Sequence, residues 1–179
     1  ASLAVERDVA FRPLLALAKT EPGLNVLVLP RNSGKGAAVL AGAAWARERG
    51  YTHALTMDAD GQHVAEHIAE FMEISQAQPD ALVLGRPIFP ANIPRERLHG
   101  RKISVALVHV ALLGRGIDDP LFGFRIYPIA PLLEELGARD TGRRYDFDTE
   151  AAVRLCWRGV RPRSSTRGFL PIFSAISIV

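Results

Sequence analysis

Short valine- and leucine-rich runs alternate with longer helix-forming segments along the first half of this chain, and that rhythm restricts the fold more than any other feature. Residues 24–30 read LNVLVLP, an apolar run bounded by Pro22-Gly23 and by Pro30, which predicts a buried strand. The alanine-rich GAAVLAGAAWARERG follows as a helix, with Arg47 and Arg49 placed against its C-terminal dipole and Gly50 as its stop. THALTM (52–57) is then a strand. Residues 64–77 form a helix in which Val64, Ile68, Phe71 and Met72 recur at helical spacing, and ALVLG (81–85) is a third strand. Strands separated by helices of this length imply right-handed crossovers and an α/β fold with a mostly parallel sheet covered on both faces. Further on, 103–114 reads as a helix, GFRIYPI (123–129) as a strand and FDTEAAVRLCWRG (147–159) as a helix.

Composition enters only as a bound. The 179 residues, 48% hydrophobic and 23% charged, suit one ordinary globular domain with a substantial core. The net charge of +3 rests mainly on arginine and suits an anionic ligand such as a phosphate or a nucleotide, without pointing to nucleic acid as a partner. Cys156 is the only cysteine, which excludes an internal disulfide framework and a cysteine-based zinc site. The start ASLAVERDVAF has no basic stretch leading into an apolar one, and the apolar end FLPIFSAISIV is shorter than the ~20 residues needed to cross a bilayer. The expected location is the cytoplasm, with at most a peripheral contact at the inner face of a membrane.

The strand 52–57 runs straight into Asp58-Ala59-Asp60-Gly61-Gln62-His63. Two carboxylates one residue apart repel each other unless water screens them or a cation sits between them, and most such pairs are solvated loops. This one follows a strand. In open α/β sheets ligands collect outside the carboxyl ends of strands, where the basic, glycine-rich RNSGKG after residues 25–29 also falls. Carboxylates beside a cationic loop suit a diphosphate carried on Mg²⁺ or Mn²⁺, which prefer oxygen ligands, and Gln62 can add an amide oxygen to Asp58 and Asp60. A Walker loop is excluded, because Leu29 and Gly36 stand where glycine and Ser or Thr are required. An EF-hand fails at its fourth and twelfth places, Gly61 and Ala69. A haloacid-dehalogenase phosphohydrolase, with Asp118 and Asp119 as its second acidic motif, is the stronger rival, although Gln62 replaces the threonine it expects.

Four segments in order, GKGAAVLAGAAWARERGYTHALTMDADGQH, ALVLGRPIF, DPLFGFRIYP and YDFDTEAAVRL, resemble the family 2 glycosyltransferases of the GT-A fold, in the branch of dolichol-phosphate mannose synthase. The likeness covers roughly residues 24–160. It implies a nucleotide-diphosphate sugar as donor, with Asp58, Asp60 and Gln62 holding Mg²⁺ or Mn²⁺ against its diphosphate. It further implies donor contacts from Gly34 and Lys35 at a helix N-terminus, where backbone N–H groups favour anions. Arg86 of GRP and Arg125 of GFR become phosphate or acceptor contacts, their guanidinium forks suited to bidentate binding. Inversion at the sugar carbon calls for a base, and Asp119 is the first candidate, then Asp118, then Asp148. A lipid-phosphate acceptor is already ionised near neutral pH and needs none. Asp148 and Glu150 also suit the first turn of the helix that begins beside them.

The chain departs from the family pattern at both ends. The family's first two strands and their nucleoside-binding motifs have no counterpart before ASLAVERDVAF, so the expectation is a fragment with an incomplete sheet, weak donor binding and a sheet edge open to self-association. Residues 161–179 read as a divergent or truncated tail. A non-catalytic binding or assembly module therefore stands beside the phosphohydrolase as an alternative.

Overall fold

The structure, a computed structural model, describes residues 12–58, 65–87, 95–114, 117–138 and 146–169, the side chains of 87, 95–99 and 166–169 excepted. The chain divides into two compact units, Ala1–Asn32 and Ser33–Val179. In the first, residues 12–17 are helical and 24–29 form no strand, contrary to the expectation for LNVLVLP. Leu27 and Val28 are 51% and 53% exposed there. An apolar run becomes a strand only when a neighbouring strand takes up its N–H and C=O groups, and the described residues of this unit supply none.

The second unit is built of helices on a four-stranded sheet. Its elements are α1 (Lys35–Glu48), β1 (His53–Thr56), a 3₁₀ turn (Ala65–His67), α2 (Ile68–Ala77), β2 (Ala81–Pro87) and α3 (Arg95–Ala111). They continue with β3 (Arg125–Pro128), α4 (Ile129–Leu136), α5 (Phe147–Trp157) and β4 (Arg161–Phe169). The strand order is β1-β3-β2-β4. β3 runs antiparallel to both β1 and β2, while β4 is parallel to β2, so the α/β class holds and the expected mostly parallel sheet is a mixed one. β1, β2 and β4 share a direction, and one reversed strand lies between β1 and β2.

Successive side chains of a strand point to opposite faces, and here both faces are covered. Leu82, Leu84 and Tyr127 belong to the larger core, with Leu40 and Ala43 of α1, Leu132 and Leu136 of α4, and Ala151, Ala152 and Leu155 of α5. Val83 and Ile126 turn the other way, onto Phe71 of α2, Phe122 and Phe124. Phe71 and Phe124 meet edge to face with ring centroids 4.6 Å apart, a contact worth about 0.5–1.5 kcal/mol beyond its burial. Burial on both faces is why ALVL reads as a continuous apolar run and not as an alternation.

β4 was not anticipated. RPRSSTRGF has no apolar run, and it pairs with β2 from Ala81↔Arg161 to Pro87↔Phe169. Arg161 and Arg163 are exposed while Ser165 is buried, its hydroxyl donating to Glu70 at 2.5 Å. Pro162 lacks a ladder N–H, which an outer strand tolerates. β1 and β4 are the outer strands of the described sheet. The helix expected at 103–114 begins earlier, at Arg95, and buries only part of itself. Val108 and Leu112 join the core, whereas Ile103, Leu107, Val110 and Leu113 are 63–89% exposed. Among the described residues no helix is long and apolar enough to cross a membrane.

Candidate functional site

Register brings the pieces of the site to one end of the sheet. Arg125, the first residue of β3, pairs with Thr56 at the end of β1 and with Leu84 in the middle of β2. The antiparallel β3 therefore starts where β1 stops and midway along β2, which runs on beside β4. Asp58 lies two residues beyond Thr56, Gly123 lies two residues before Arg125, and the Thr56 hydroxyl ties the two segments by donating to the Gly123 carbonyl at 3.1 Å. Arg86 stands exposed in the last turn of pleat of β2, opposite Gly168 of β4.

α1 delivers the cation. Gly34 precedes its first residue with φ of 87°, a left-handed conformation that disfavours any side chain, and Lys35 opens the helix. Small residues Gly36, Ala37 and Ala43 are buried and let the helix lie close to its neighbours. Lys35 Nζ then reaches two carboxylates at once, Asp58 Oδ1 at 2.7 Å and Asp148 Oδ2 at 2.6 Å. The lysine and Asp58 are partly exposed, with side chains 27% and 35% accessible, while Asp148 is at 12%. A methyl group on Gly123 would lie 2.5 Å from both Lys35 Nζ and Asp58 Oδ2, so the pair could keep this geometry only beside a glycine and would have to shift for any larger residue.

Asp148 sits in the first turn of α5, where the helix dipole favours a negative charge. The capping role open to it is not taken up, for no side chain caps that helix; Asp148 serves Lys35 instead. Its second oxygen, Oδ1, is buried with no hydrogen-bond partner. A buried carboxylate oxygen left unpaired is costly and marks a place where a donor or a cation would be welcome. Glu150 pairs with Arg154 one turn on, at 2.6 Å.

Arg125 lies elsewhere than expected. It is wholly buried, and its guanidinium donates to the carbonyls of Phe122 (Nε, 2.7 Å), Asp148 (Nη1, 2.5 Å) and Pro120 (Nη2, 2.5 Å), with the Tyr127 hydroxyl at 3.4 Å. In place of the expected phosphate or acceptor contact, this fork fastens the loop before β3 to the start of α5. Burial pushes the Tyr127 phenol far above its ordinary value, opposed in part by the nearby Arg125 charge.

The candidate bases differ in setting. Asp118 is exposed. Asp119 is buried, and both its oxygens accept: Oδ2 from Arg101 Nε of α3 at 2.5 Å, Oδ1 from the Leu121 N–H at 2.9 Å. A proton acceptor held this way would have to give up an ion pair to act. Neither the link from Lys35 to Asp148 nor the choice of Arg101 as partner could be read from the sequence, because both join residues far apart in the chain.

Asp60 and Gln62 lie outside the described residues, and among the described residues no group of three or more His, Cys, Asp or Glu side chains converges. Asp58 and the orphaned Asp148 Oδ1 nevertheless present oxygen donors alone, the chemistry that Mg²⁺ and Mn²⁺ select.

Comparison with known proteins gives this end of the sheet its context. The sequence model described as Glycosyl transferase family 2 matches residues 10–133. The polyprenol monophosphomannose synthase of Mycolicibacterium smegmatis is 34% identical over 151 residues, covering 82% of this chain and 54% of that protein. The undecaprenyl-phosphate mannosyltransferase of Micrococcus luteus is also 34% identical over 151 residues, covering 80% of this chain and 60% of its own length. The chain thus spans little more than half the length of these relatives.

Proposed function

The chain belongs to glycosyl transferase family 2, whose fold is GT-A, and from that membership we propose that it transfers a sugar, by analogy with its relatives a mannosyl unit, from a nucleotide-diphosphate donor to a polyprenyl-type lipid phosphate. The observation that carries this reading is the meeting of Asp58, Lys35 and Asp148 at the end of the sheet. Family membership leaves the phosphohydrolase reading without support.

Asp58, with Asp60 and Gln62 beyond it, would hold Mg²⁺ or Mn²⁺, which when bound supplies Lewis-acid stabilisation of the departing diphosphate. Lys35 and the N-terminus of α1 favour the same negative charge. Arg86, exposed at the end of β2, suits a phosphate of the donor or the acceptor. A lipid phosphate brings its own oxyanion to the sugar carbon, so proton removal is not required. Asp119 then acts by orienting Arg101, whose guanidinium it grips, and Asp118 stays in solvent.

A lipid acceptor places the reaction at a membrane surface. The exposed Ile103, Leu107 and Val110 of α3 and Leu113 in the turn after it, flanked by Lys102 and by Trp157, whose indole N–H donates to the Ala111 carbonyl at 3.0 Å, support a peripheral contact there. We place the chain on the cytoplasmic side of that surface.

Incubation with a nucleoside-diphosphate mannose, a short polyprenyl phosphate and Mn²⁺, followed by mass spectrometry of the lipid fraction, tests the proposal. Mannosylated lipid phosphate that disappears with a chelator and in Asp58→Asn is the expected result. Product formed equally without metal, or by Asp58→Asn, contradicts it.

A further inference from the structure

Lys35 occupies an unusual position for a donor-binding lysine. Its ammonium lies between Asp58 and Asp148, 2.7 Å and 2.6 Å from their oxygens, which is the place where a cation shared by those carboxylates would also sit. Two positive centres so close repel each other, and Asp58 cannot turn the same oxygen lobe to both. Gly123 lies against the pair: a methyl added there would come within 2.5 Å of both Lys35 Nζ and Asp58 Oδ2. Asp148 Oδ2 gives it a second anchor, held on a different element and facing a largely buried environment.

We infer that Lys35 is a resident counter-cation of the metal site, exchanged at Asp58 for the divalent ion that the proposed function requires. On arrival of the ion, Lys35 leaves Asp58, stays tethered to Asp148 Oδ2, and becomes available to the donor's diphosphate. The exchange keeps Asp58 and Asp148 compensated throughout and makes metal binding alone weak, because it must displace an ion pair. Diphosphate and metal then bind better together than apart, since the anion takes up the ammonium that the metal releases. This inference rests on the metal reading of Asp58 and adds to it a role for Lys35 that family membership does not assign.

Mn²⁺ titrations of the chain without donor, followed by calorimetry, separate the two claims. Lys35→Gln should bind Mn²⁺ about tenfold more tightly than the unaltered chain, because a competing charge has been removed from a partly exposed site. Lys35→Arg, which keeps the charge, should show no such gain. Nitrogen-15 NMR of the lysine ammonium, titrated with diamagnetic Mg²⁺, should show the Lys35 signal shifting in step with metal binding, and this readout needs no variant to fold. Unchanged or weaker Mn²⁺ affinity in Lys35→Gln, or a Lys35 signal indifferent to Mg²⁺, overturns the exchange while Asp58-dependent binding leaves the metal site standing. Absence of any Asp58-dependent metal binding overturns both.

Discussion

Lys35 and Arg125 stand at the same end of the sheet, and both read from the sequence as contacts for phosphate. Their surroundings separate them. Arg125 is fully buried and gives its guanidinium to three backbone carbonyls, so its charge holds the loop before β3 against α5. Lys35 is partly exposed and gives its ammonium to two carboxylates, one of them at a strand end. A cation satisfied by neutral carbonyls inside the protein has nothing to exchange. One satisfied by acids, one of them partly exposed, can trade a partner for a ligand. Burial and partner type, more than the motif around a residue, divide architecture from chemistry here.

The largest effect that would break this comparison lies at Arg125. Arg125→Met strands three carbonyls and should destabilise the fold by about 3–5 kcal/mol, enough to abolish a cooperative transition in a marginal domain. A thermal or urea melt close to the unaltered chain would return Arg125 to the ligand-binding role. Lys35→Gln should cost only about 1–2 kcal/mol, most of it from Asp148 left without a counter-charge, while donor turnover falls sharply. Urea titration beside a transfer assay reads both.

Gly123→Ala sharpens the contrast at closer range. The added methyl meets the ends of two flexible side chains, Lys35 and Asp58, so stability should change by less than about 1 kcal/mol while Mn²⁺ binding weakens. Calorimetry and a melt on the same sample test that split. The smallest effect belongs to Tyr127, whose folded-state pKa is raised by burial beside Arg125. An acid held neutral in the fold but free to ionise when unfolded contributes stability that is complete below the unfolded pKa of about 10 and is lost as pH rises from there toward the folded value. Tyr127→Phe should therefore flatten the alkaline fall in stability above pH ~10 and leave neutral-pH stability nearly unchanged.

Much of the second unit was legible. α1, β1, α2, β2, β3 and α5 fall where apolar runs and helical periodicity put them, and the strand-end position of Asp58 followed from that alternation. What escaped has a physical reason in each case. LNVLVLP has a strand's composition, but composition carries no partner strand. β4 is polar because an outer strand buries little, so Ser165 and its neighbours give no apolar signal. The reversed β3 looks the same in sequence as a parallel strand, since direction is set by the path between elements. Within the site, the order of motifs picked out Lys35, Asp58, Asp119 and Asp148, while their pairings depend on register: Lys35 with Asp148, and Asp119 with Arg101. In GFR the arginine carries the visible chemistry, whereas the importance of Gly123 lies in the space beside it, which only the fold defines.

On the proposed function, the divalent ion binds where Asp58, Lys35 and Asp148 converge. Paramagnetic broadening of backbone amide signals by substoichiometric Mn²⁺ locates the ion directly. Signals of Lys35, Asp58, Gly123 and Asp148 should vanish first, with those of Gln78, Asp80 and Arg161 at the opposite end of the strands little changed. Broadening centred on that opposite end, or spread evenly along the chain, would contradict the account.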